Sequence, residues 1–310
     1  MNTKHFENKK ILITGASGVV GYNLCKRLLS IPSCDIHINY QHSLGINFKE
    51  LSKASHHHIF DITDLDKINS LPEFDIIFHC SGYGQPQKFI QNSKKTFTLN
   101  TLSLQSLIHK TKEQFIFVST SEIYSESDGN SENSNITINP ENIRNCYILS
   151  KLFGESLLAF GDSNLNHKSI RLCLCYGPGF KKDDKRVLSE FIIKGFTNNE
   201  ISLLDDGSAL RSYIYVDDCI DAILNIAANG KHKIYNVGGE NLLSVRQLAE
   251  SISEIIGCSI KIGEKNNKLQ SSPNKACVDI SRYELEFGKL NKTPLKYGLE
   301  KCIKWYKNYV

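Results

Sequence analysis

Tyr147 and Lys151 stand four residues apart at the start of a segment whose apolar periodicity predicts a helix over residues 147–160. Spacing of i, i+4 puts both side chains on one helix face. A phenol with an ordinary pKa near ~10 is a poor base at neutral pH. A neighbouring ammonium favours the phenolate, so the lysine is what this chemistry needs beside the tyrosine. The pair is common by chance, and an exposed Tyr with a solvated Lys is the plain alternative. Its context argues for chemistry, because Ser119-Thr120-Ser121-Glu122-Ile123-Tyr124 lies about 27 residues upstream, directly after a buried-strand run. Parallel sheets gather their chemistry at strand C-termini. Thr120 can therefore reach the same substrate hydroxyl as Tyr147, and Glu122 adds a carboxylate that is otherwise merely solvated.

A second feature speaks of a phosphorylated ligand. Residues 11–21 read ILITGASGVVG, a strand, then Gly15-x-x-Gly18-x-x-Gly21, then a helical stretch. Glycines permit a tight turn and close backbone approach to a pyrophosphate at a helix N-terminus, where free N–H groups favour anions. Between a strand and a helix this spacing points to a dinucleotide. The carboxylate expected at the end of the second strand, where ribose hydroxyls are held, is missing. Asn39 or Tyr40 takes that place, followed by Gln41-His42-Ser43. NAD and NADP both stay open, since His42 and Ser43 either meet a 2′-phosphate or are solvated. The glycine spacing resembles that of the extended short-chain dehydrogenase/reductase family, which implies that Asp61-Ile62 falls where the adenine is held, and Asp61 could equally cap the next helix.

The elements that must carry these residues alternate. Ile11–Thr14, Ile36–Ile38, Phe74–His79, Phe115–Ser119 and Ser169–Cys175 read as strands, the last closed by Tyr176-Gly177-Pro178-Gly179. Asn23–Leu29, Thr98–His109 and Tyr147–Phe160 read as helices, the last with Leu149, Leu152, Phe153 and Leu157 as its apolar face. Residues 125–143 are polar and predict an exposed loop. The alternation predicts an α/β Rossmann-type doubly wound parallel sheet with a smaller C-terminal α/β substrate-binding region. The expected division is 1–172 for the dinucleotide domain and 173–310 for the substrate region, part of 211–240 returning to the Rossmann core.

Composition narrows the partners. The chain has 310 residues, 40% of them hydrophobic, with 37 basic against 33 acidic side chains and a formal net charge of +4. The charges are spread, so nothing supports nucleic-acid binding. No run approaches the ~18 apolar residues of a membrane span. The ten cysteines are scattered, several within apolar runs, which predicts packing thiols in a reduced cytoplasmic protein rather than disulfides. Cys173 and Cys175 are expected buried on one strand face. His56-His57-His58 are consecutive and cannot all face one ion, so no metal is expected.

The glycine turn, Thr120, Tyr147 and Lys151, in this order over almost the whole chain, resemble the nucleotide-sugar epimerase/dehydratase branch of the extended short-chain dehydrogenases/reductases. The resemblance implies NAD chemistry on a nucleotide-diphosphate sugar, a homodimer paired through helices near 99–111 and 147–160, and a place in polysaccharide biosynthesis. Tyr147 would take the proton from a sugar hydroxyl, usually at C4, as hydride passes to the nicotinamide. Thr120 would hydrogen-bond that hydroxyl, and Lys151 would bind the nicotinamide ribose. The cofactor would also meet Ser17, Val19 and Val20 of the turn, Cys80 and Ser81 after the fourth strand, and Ser119. Asn100, in TFTLN, matches an active-site asparagine of the family, or caps a helix.

The step after oxidation is less legible. The Thr120-Ser121-Glu122 triplet looks like those of GDP-mannose dehydratases and UDP-glucuronate decarboxylases, and Glu122 argues for more than epimerisation. Arg144-x-Cys146-Tyr147, the spacing from His79 to Asn100, and the stretch Arg186–Ile192 resemble the decarboxylases most. The chain departs from them at Ser81–Pro86, which includes Tyr83, and at Leu174, where that family has a substrate-binding Asn. Asp206 to Asp218 resembles the strand that brings an Arg, here Arg211, onto the diphosphate; Arg186 is a second phosphate candidate. Leu204 takes the place of an aromatic beside the base. Release of the ketosugar by a 4-dehydrogenase, decarboxylation, and a catalytically idle nucleotide-binding sensor are the competing readings.

Overall fold

A computed structural model describes residues 3–161, 165–239, 242–264, 274–290 and 292–308. The first half alternates as β1 (Lys10–Thr14), α1 (Val19–Leu28), β2 (Asp35–Tyr40), α2 (Phe48–Leu51), β3 (His56–Ile59), α3 (Leu65–Asn69) and β4 (Phe74–His79). It continues through α4 (Pro86–Gln91), α5 (Ser93–Asn100), α6 (Leu102–Ile108), β5 (Thr111–Thr120), α7 (Asn145–Phe160) and β6 (Asn166–Leu172). After these come β7 (Leu174–Tyr176), α8 (Val187–Asn198), β8 (Glu200–Ser202), β9 (Leu210–Tyr215), α9 (Val216–Asn229) and β10 (Ile234–Val237). The last elements are β11 (Leu242–Ser244), α10 (Val245–Ile256), β12 (Ser259–Lys261), β13 (Lys275–Ala276), α11 (Ser281–Phe287) and α12 (Leu295–Lys307).

Seven strands form one sheet in the order β10-β6-β5-β4-β1-β2-β3, every pair parallel. Strand order reverses between β1 and β4, and such a switch point opens a ligand crevice at the strand C-termini. The middle strands are apolar on both sides (Ile11, Leu12 and Ile13; Ile76, Ile77 and Phe78; Phe115, Ile116 and Phe117), all fully buried. That is the composition of strands covered by helices on both faces. This is the doubly wound Rossmann-type sheet expected. Strands β7, β9, β11 and β13 form a small separate sheet, and β8 pairs with β12.

Four local expectations need correction. Helix α1 begins at Val19, not Asn23, because the glycine turn runs straight into it: Gly18 is its N-cap. The Thr98–His109 stretch is two helices broken at Thr101, whose φ of −122° and ψ of −82° are not helical. There the Thr101 hydroxyl donates to the Phe97 carbonyl and the Asn100 amide donates to the Thr96 carbonyl, competing with the backbone ladder. The Ser169–Cys175 strand divides at Cys173, so β6 and β7 enter different sheets and the two thiols share no strand face; Cys173 is buried and Cys175 half-buried. In α7 the apolar stripe is not the buried one. Tyr147, Lys151, Glu155 and Leu158 face the sheet, while Phe153 is 50% exposed.

Candidate active site

The site is assembled where β1, β4 and β5 end. Gly15 has φ of +70°, and a Cβ there would lie 2.8 Å from the Ser81 nitrogen; one on Gly21 would lie 2.3 Å from the Gly15 carbonyl oxygen. Only glycine lets the turn lie this close to both β4 and α1. Helix α1 has no side-chain cap at Gly18, so its first-turn amides face the crevice. The Thr14 hydroxyl ties the switch point together, lying 2.8 Å from His79 Nδ1 and 3.3 Å from the Ser81 nitrogen that donates to it. A bare cradle ending in uncapped amides fits a dinucleotide pyrophosphate. Ser17 and Val20 are half-buried along it, and Val19 is buried.

Farther along, the residues expected at the ribose end divide. Asn39 is 2% exposed, and its amide donates both hydrogens, to the His58 and Phe60 carbonyls. Its side chain is a clasp between β2 and β3. Tyr40 is also buried, its hydroxyl 3.1 Å from His57 Nδ1. Asp61 does not cap α3, which Asp64 does. It accepts from the Thr63 nitrogen and hydroxyl and from Gln41, and pairs with Lys95. Against the upward push of partial burial, Lys95 and Thr63 hold its carboxyl below the usual range. Ile62 is buried beside it.

Tyr147 stacks on Phe89 at 4.8 Å between centroids and hydrogen-bonds Thr120. Burial, then the Glu122 carboxylate, push its phenol well above the ordinary value, while Thr120 lowers it. Lys151 is 2% exposed; its Nζ donates to the Val118 carbonyl at 2.8 Å and lies 5.9 Å from the Tyr147 ring centroid. Burial lowers the lysine pKa to about 7, with Cys80 and Glu155 acting in the other direction. The expected depression of the Tyr147 pKa by Lys151 is therefore not present in the protein alone. The lysine is itself desolvated and spends its proton on Val118. Cys80, beside it, is pushed up to about 12 by burial.

Asn100 is no N-cap. It ends α5 and donates to Ser150, whose hydroxyl bonds the Tyr147 carbonyl, so it braces the catalytic helix. Its Oδ1 is buried with no partner among the described residues. Ser119 points away from the crevice and donates to Glu155 at 2.5 Å. Ser121 bonds the Cys173 thiol. Tyr83, half-buried, packs into the apolar cluster that holds Phe89, Tyr124 and Tyr147.

On the substrate side, Arg144 Nη2 donates to Glu122 Oε2 at 3.0 Å, and its guanidinium lies 5.6 Å from the Phe89 centroid. Phe89 is thus a plate with Tyr147 on one contact and Arg144 on another. Arg211 lies near both Glu122 and Arg144. Arg186 instead grips the buried Asp184 through Nε and Nη2, and Gln85 bonds the same carboxylate. Leu204 is 59% exposed. Phe89 and the role of Arg144 were missed by sequence reasoning. The Arg-x-Cys-Tyr string was a signal for Arg144, whereas nothing marked Phe89. A groove of about 570 Å³ lies elsewhere, beside the β10 edge, lined by Glu132, Arg282 and neighbours. These two side chains bond the β10 backbone at Asn236 and Ile234, and none of the residues around Tyr147 lines it.

Comparison with known proteins gives the family and agrees with the fold. The model of the NAD dependent epimerase/dehydratase family matches residues 11–238. UDP-glucuronic acid decarboxylase 6 of Arabidopsis thaliana is 26% identical over 309 residues, covering 96% of this chain and 89% of that protein. Among solved structures, UDP-glucose 4-epimerase of Thermotoga maritima, with UDP-glucose, superposes with a TM-score of 0.83 at 21% identity, covering 97% of this chain and 99% of the other. A UDP-glucuronic acid 4-epimerase mutant from Bacillus cereus, in complex with UDP-4-deoxy-4-fluoro-glucuronic acid and NAD, gives 0.82 at 22% identity, covering 97% and 100%.

Proposed function

The chain belongs to the NAD-dependent epimerase/dehydratase family, and from that membership we propose that it oxidises the sugar of a nucleotide-diphosphate sugar at C4. The observation that carries the reading is the convergence of Thr120, Tyr147 and Lys151 at the end of β5, beside the glycine cradle. Tyr147 takes the hydroxyl proton and Thr120 orders it. Lys151 gives up its bond to Val118 to hold the nicotinamide ribose. NAD held in the cradle and by Lys151 would supply a hydride acceptor, and its positive charge would favour the Tyr147 phenolate that burial and Glu122 otherwise oppose.

For the following step, the Arg144 guanidinium holds the Glu122 side chain beside Tyr147, placed to take a proton from C5. This favours the epimerase/dehydratase type with Glu122 as base. A second reading, loss of a C5 carboxylate, is favoured by Arg144 and Arg211 standing together beside Glu122, and by the likeness to the Arabidopsis decarboxylase. The proposal includes a cofactor domain at 1–172, with a substrate region at 173–310 whose Arg211 serves the diphosphate, Arg186 being held by Asp184. The protein works in the cytoplasm, its ten cysteines unpaired, in polysaccharide biosynthesis. Among the described residues no helix is long and apolar enough to cross a membrane.

The outward face of α5, α6 and α7 supports a homodimer. Phe97, Leu102, Phe153 and Phe160 are 45%, 50%, 50% and 90% exposed, and Phe97 touches Phe153. Light scattering at micromolar concentration should give twice 35.0 kDa, and a monomer refutes this part. For the reaction, incubation with UDP-, GDP-, CDP- and dTDP-sugars plus NAD or NADP, read by mass spectrometry, separates the outcomes. Loss of water marks a dehydratase, loss of carbon dioxide a decarboxylase, loss of two hydrogens a 4-dehydrogenase, and an isomer of equal mass an epimerase. No product and no cofactor reduction with any sugar would leave a binding sensor and overturn the proposal.

A further inference from the structure

The three consecutive histidines gain a different meaning once β2 and β3 are paired. In parallel register His37 lies opposite His56 and Asn39 opposite His58. Strand side chains alternate faces, so Asp35, His37, His56 and His58 share one face while His57 turns to the other, toward Tyr40. Four metal-type ligands therefore form a two-by-two patch at the first half of β2, on the β3 edge of the sheet. It lies away from the strand C-termini that hold the catalytic residues.

The geometry of the patch is specific. One ligand atom from each of Asp35, His37 and His56 lies within 4.8 Å of the others. His37 Nε2 is 3.2 Å from Asp35 Oδ2. Two ligands held tetrahedrally at about 2.0–2.1 Å from zinc stand about 3.3 Å apart, so this pair already has the spacing of neighbouring ligands. The His37 and His56 rings stack at 4.3 Å. His56 is exposed, so its ring can swing the remaining distance.

The other nitrogen of His37 is also engaged: Nδ1 lies 2.9 Å from His58 Nε2. Without an ion His37 Nε2–H donates to Asp35; with the proton on Nδ1 and donated to His58 instead, the Nε2 lone pair would be directed at an ion between Asp35 and His56. A ligating histidine usually has its second nitrogen fixed in this way. His37 is 3% exposed and packs edge-on against Phe74, so its orientation is set by the core. Ser55 hydrogen-bonds the Asp35 carboxylate. Lys10, opposite Asp35 in register on β1, is the neighbouring cation, with its ammonium 5.4 Å from the Phe74 centroid.

We propose that Asp35, His37 and His56 bind one divalent transition-metal ion of the zinc class, with His58 orienting His37 and solvent filling the fourth position. Carboxylate and imidazole donors in a three-ligand set suit zinc or cobalt. The ion clamps β3, a short edge strand of four residues, onto β2.

Titration of the chelator-treated full chain with Zn²⁺ at pH 7.5, followed by calorimetry, should show one site per chain with micromolar affinity. Co²⁺ should give the visible absorption of a tetrahedral site. His56→Ala should weaken Zn²⁺ binding at least tenfold without loss of fold, because the side chain is exposed. His58→Ala should weaken it about tenfold through the orientation of His37. His109→Ala, an exposed histidine on another element, should change nothing. No saturable binding up to 100-fold above ~1 µM Zn²⁺, or unchanged affinity in His56→Ala, overturns the site.

Discussion

Helix α7 buries two charged side chains four residues apart, Lys151 and Glu155, in opposite circumstances. Glu155 faces back into the molecule, where every partner is present. Arg171 meets it through Nε and Nη2, Ser119 donates to it, and Arg171 also donates to Tyr124, which donates to Asn236. Against the downward push of burial, Glu155 holds the Arg171 guanidinium above its usual pKa. Lys151 faces the crevice with one carbonyl, and its pKa falls to about 7. Asn100, which bonds the preceding Ser150, has its Oδ1 without a partner among the described residues. A buried polar cluster that is fully paired holds structure. One left short of partners holds room for a ligand that completes it.

The contrast predicts opposite responses to similar substitutions. Tyr147→Phe, on the crevice side, should cut C4 oxidation by about 10²–10⁴-fold while nucleotide-sugar binding persists. Stopped-flow reduction of NAD and calorimetry would show the two together, and retained turnover removes Tyr147 as base. Arg171→Met, behind the helix, leaves the buried Glu155 without its ion-pair partner and with only Ser119 donating to it. It should cost about 3–5 kcal/mol in urea unfolding. A loss below about 1 kcal/mol would mean the network is not what pins α7.

Lys151→Met should abolish turnover and yet stabilise the protein without ligand. A lysine whose folded pKa is depressed binds fewer protons folded than unfolded between pH 7 and about 10.4, so wild-type stability rises with pH across that window. Below pH 7 the burial cost is fully present. The variant's advantage should be about 2–4 kcal/mol at pH 7, from ~1.4 kcal/mol per pKa unit, and should shrink toward pH 10. Chemical denaturation at several pH values tests the slope, and a destabilised variant reverses the comparison. Ser119→Ala, which removes one hydrogen bond from the paired side, should cost about 1 kcal/mol and leave the pH dependence unchanged.

Much of the site could be read without coordinates because its signals are local. The glycine turn needs a strand before it and a helix after it, all within residues 11–28. Tyr147 and Lys151 need only helical spacing. Phe89 carried no such mark, and the Arg-x-Cys-Tyr string marked Arg144 without its role. An arginine before a helix and a phenylalanine on a short one are ordinary until α4 and α7 pack together and put Phe89 against both Tyr147 and Arg144. Asn39 and Ser119 were legible as strand-end residues but not in their direction. Both face other protein groups, His58 and Phe60 for one and Glu155 for the other. The apolar periodicity of α7 misled for a similar reason, because the helix buries its polar face against the catalytic end of the sheet and turns Phe153 outward.

What the chain determined by itself was the order of elements, the phosphate cradle and the catalytic types, since each depends on neighbours within about one turn or strand. Pairings between distant segments were decided only by the tertiary structure. Glu122 found Arg144 across 22 residues, Glu155 found Arg171 across 16, and His37 found His56 through strand register. The physical reason is that hydrogen bonds and ion pairs act over a few ångströms in space. The sheet order that brings those segments together is set by burying Ile11, Phe78 and Phe117 on both faces, not by the polar residues that afterwards meet there.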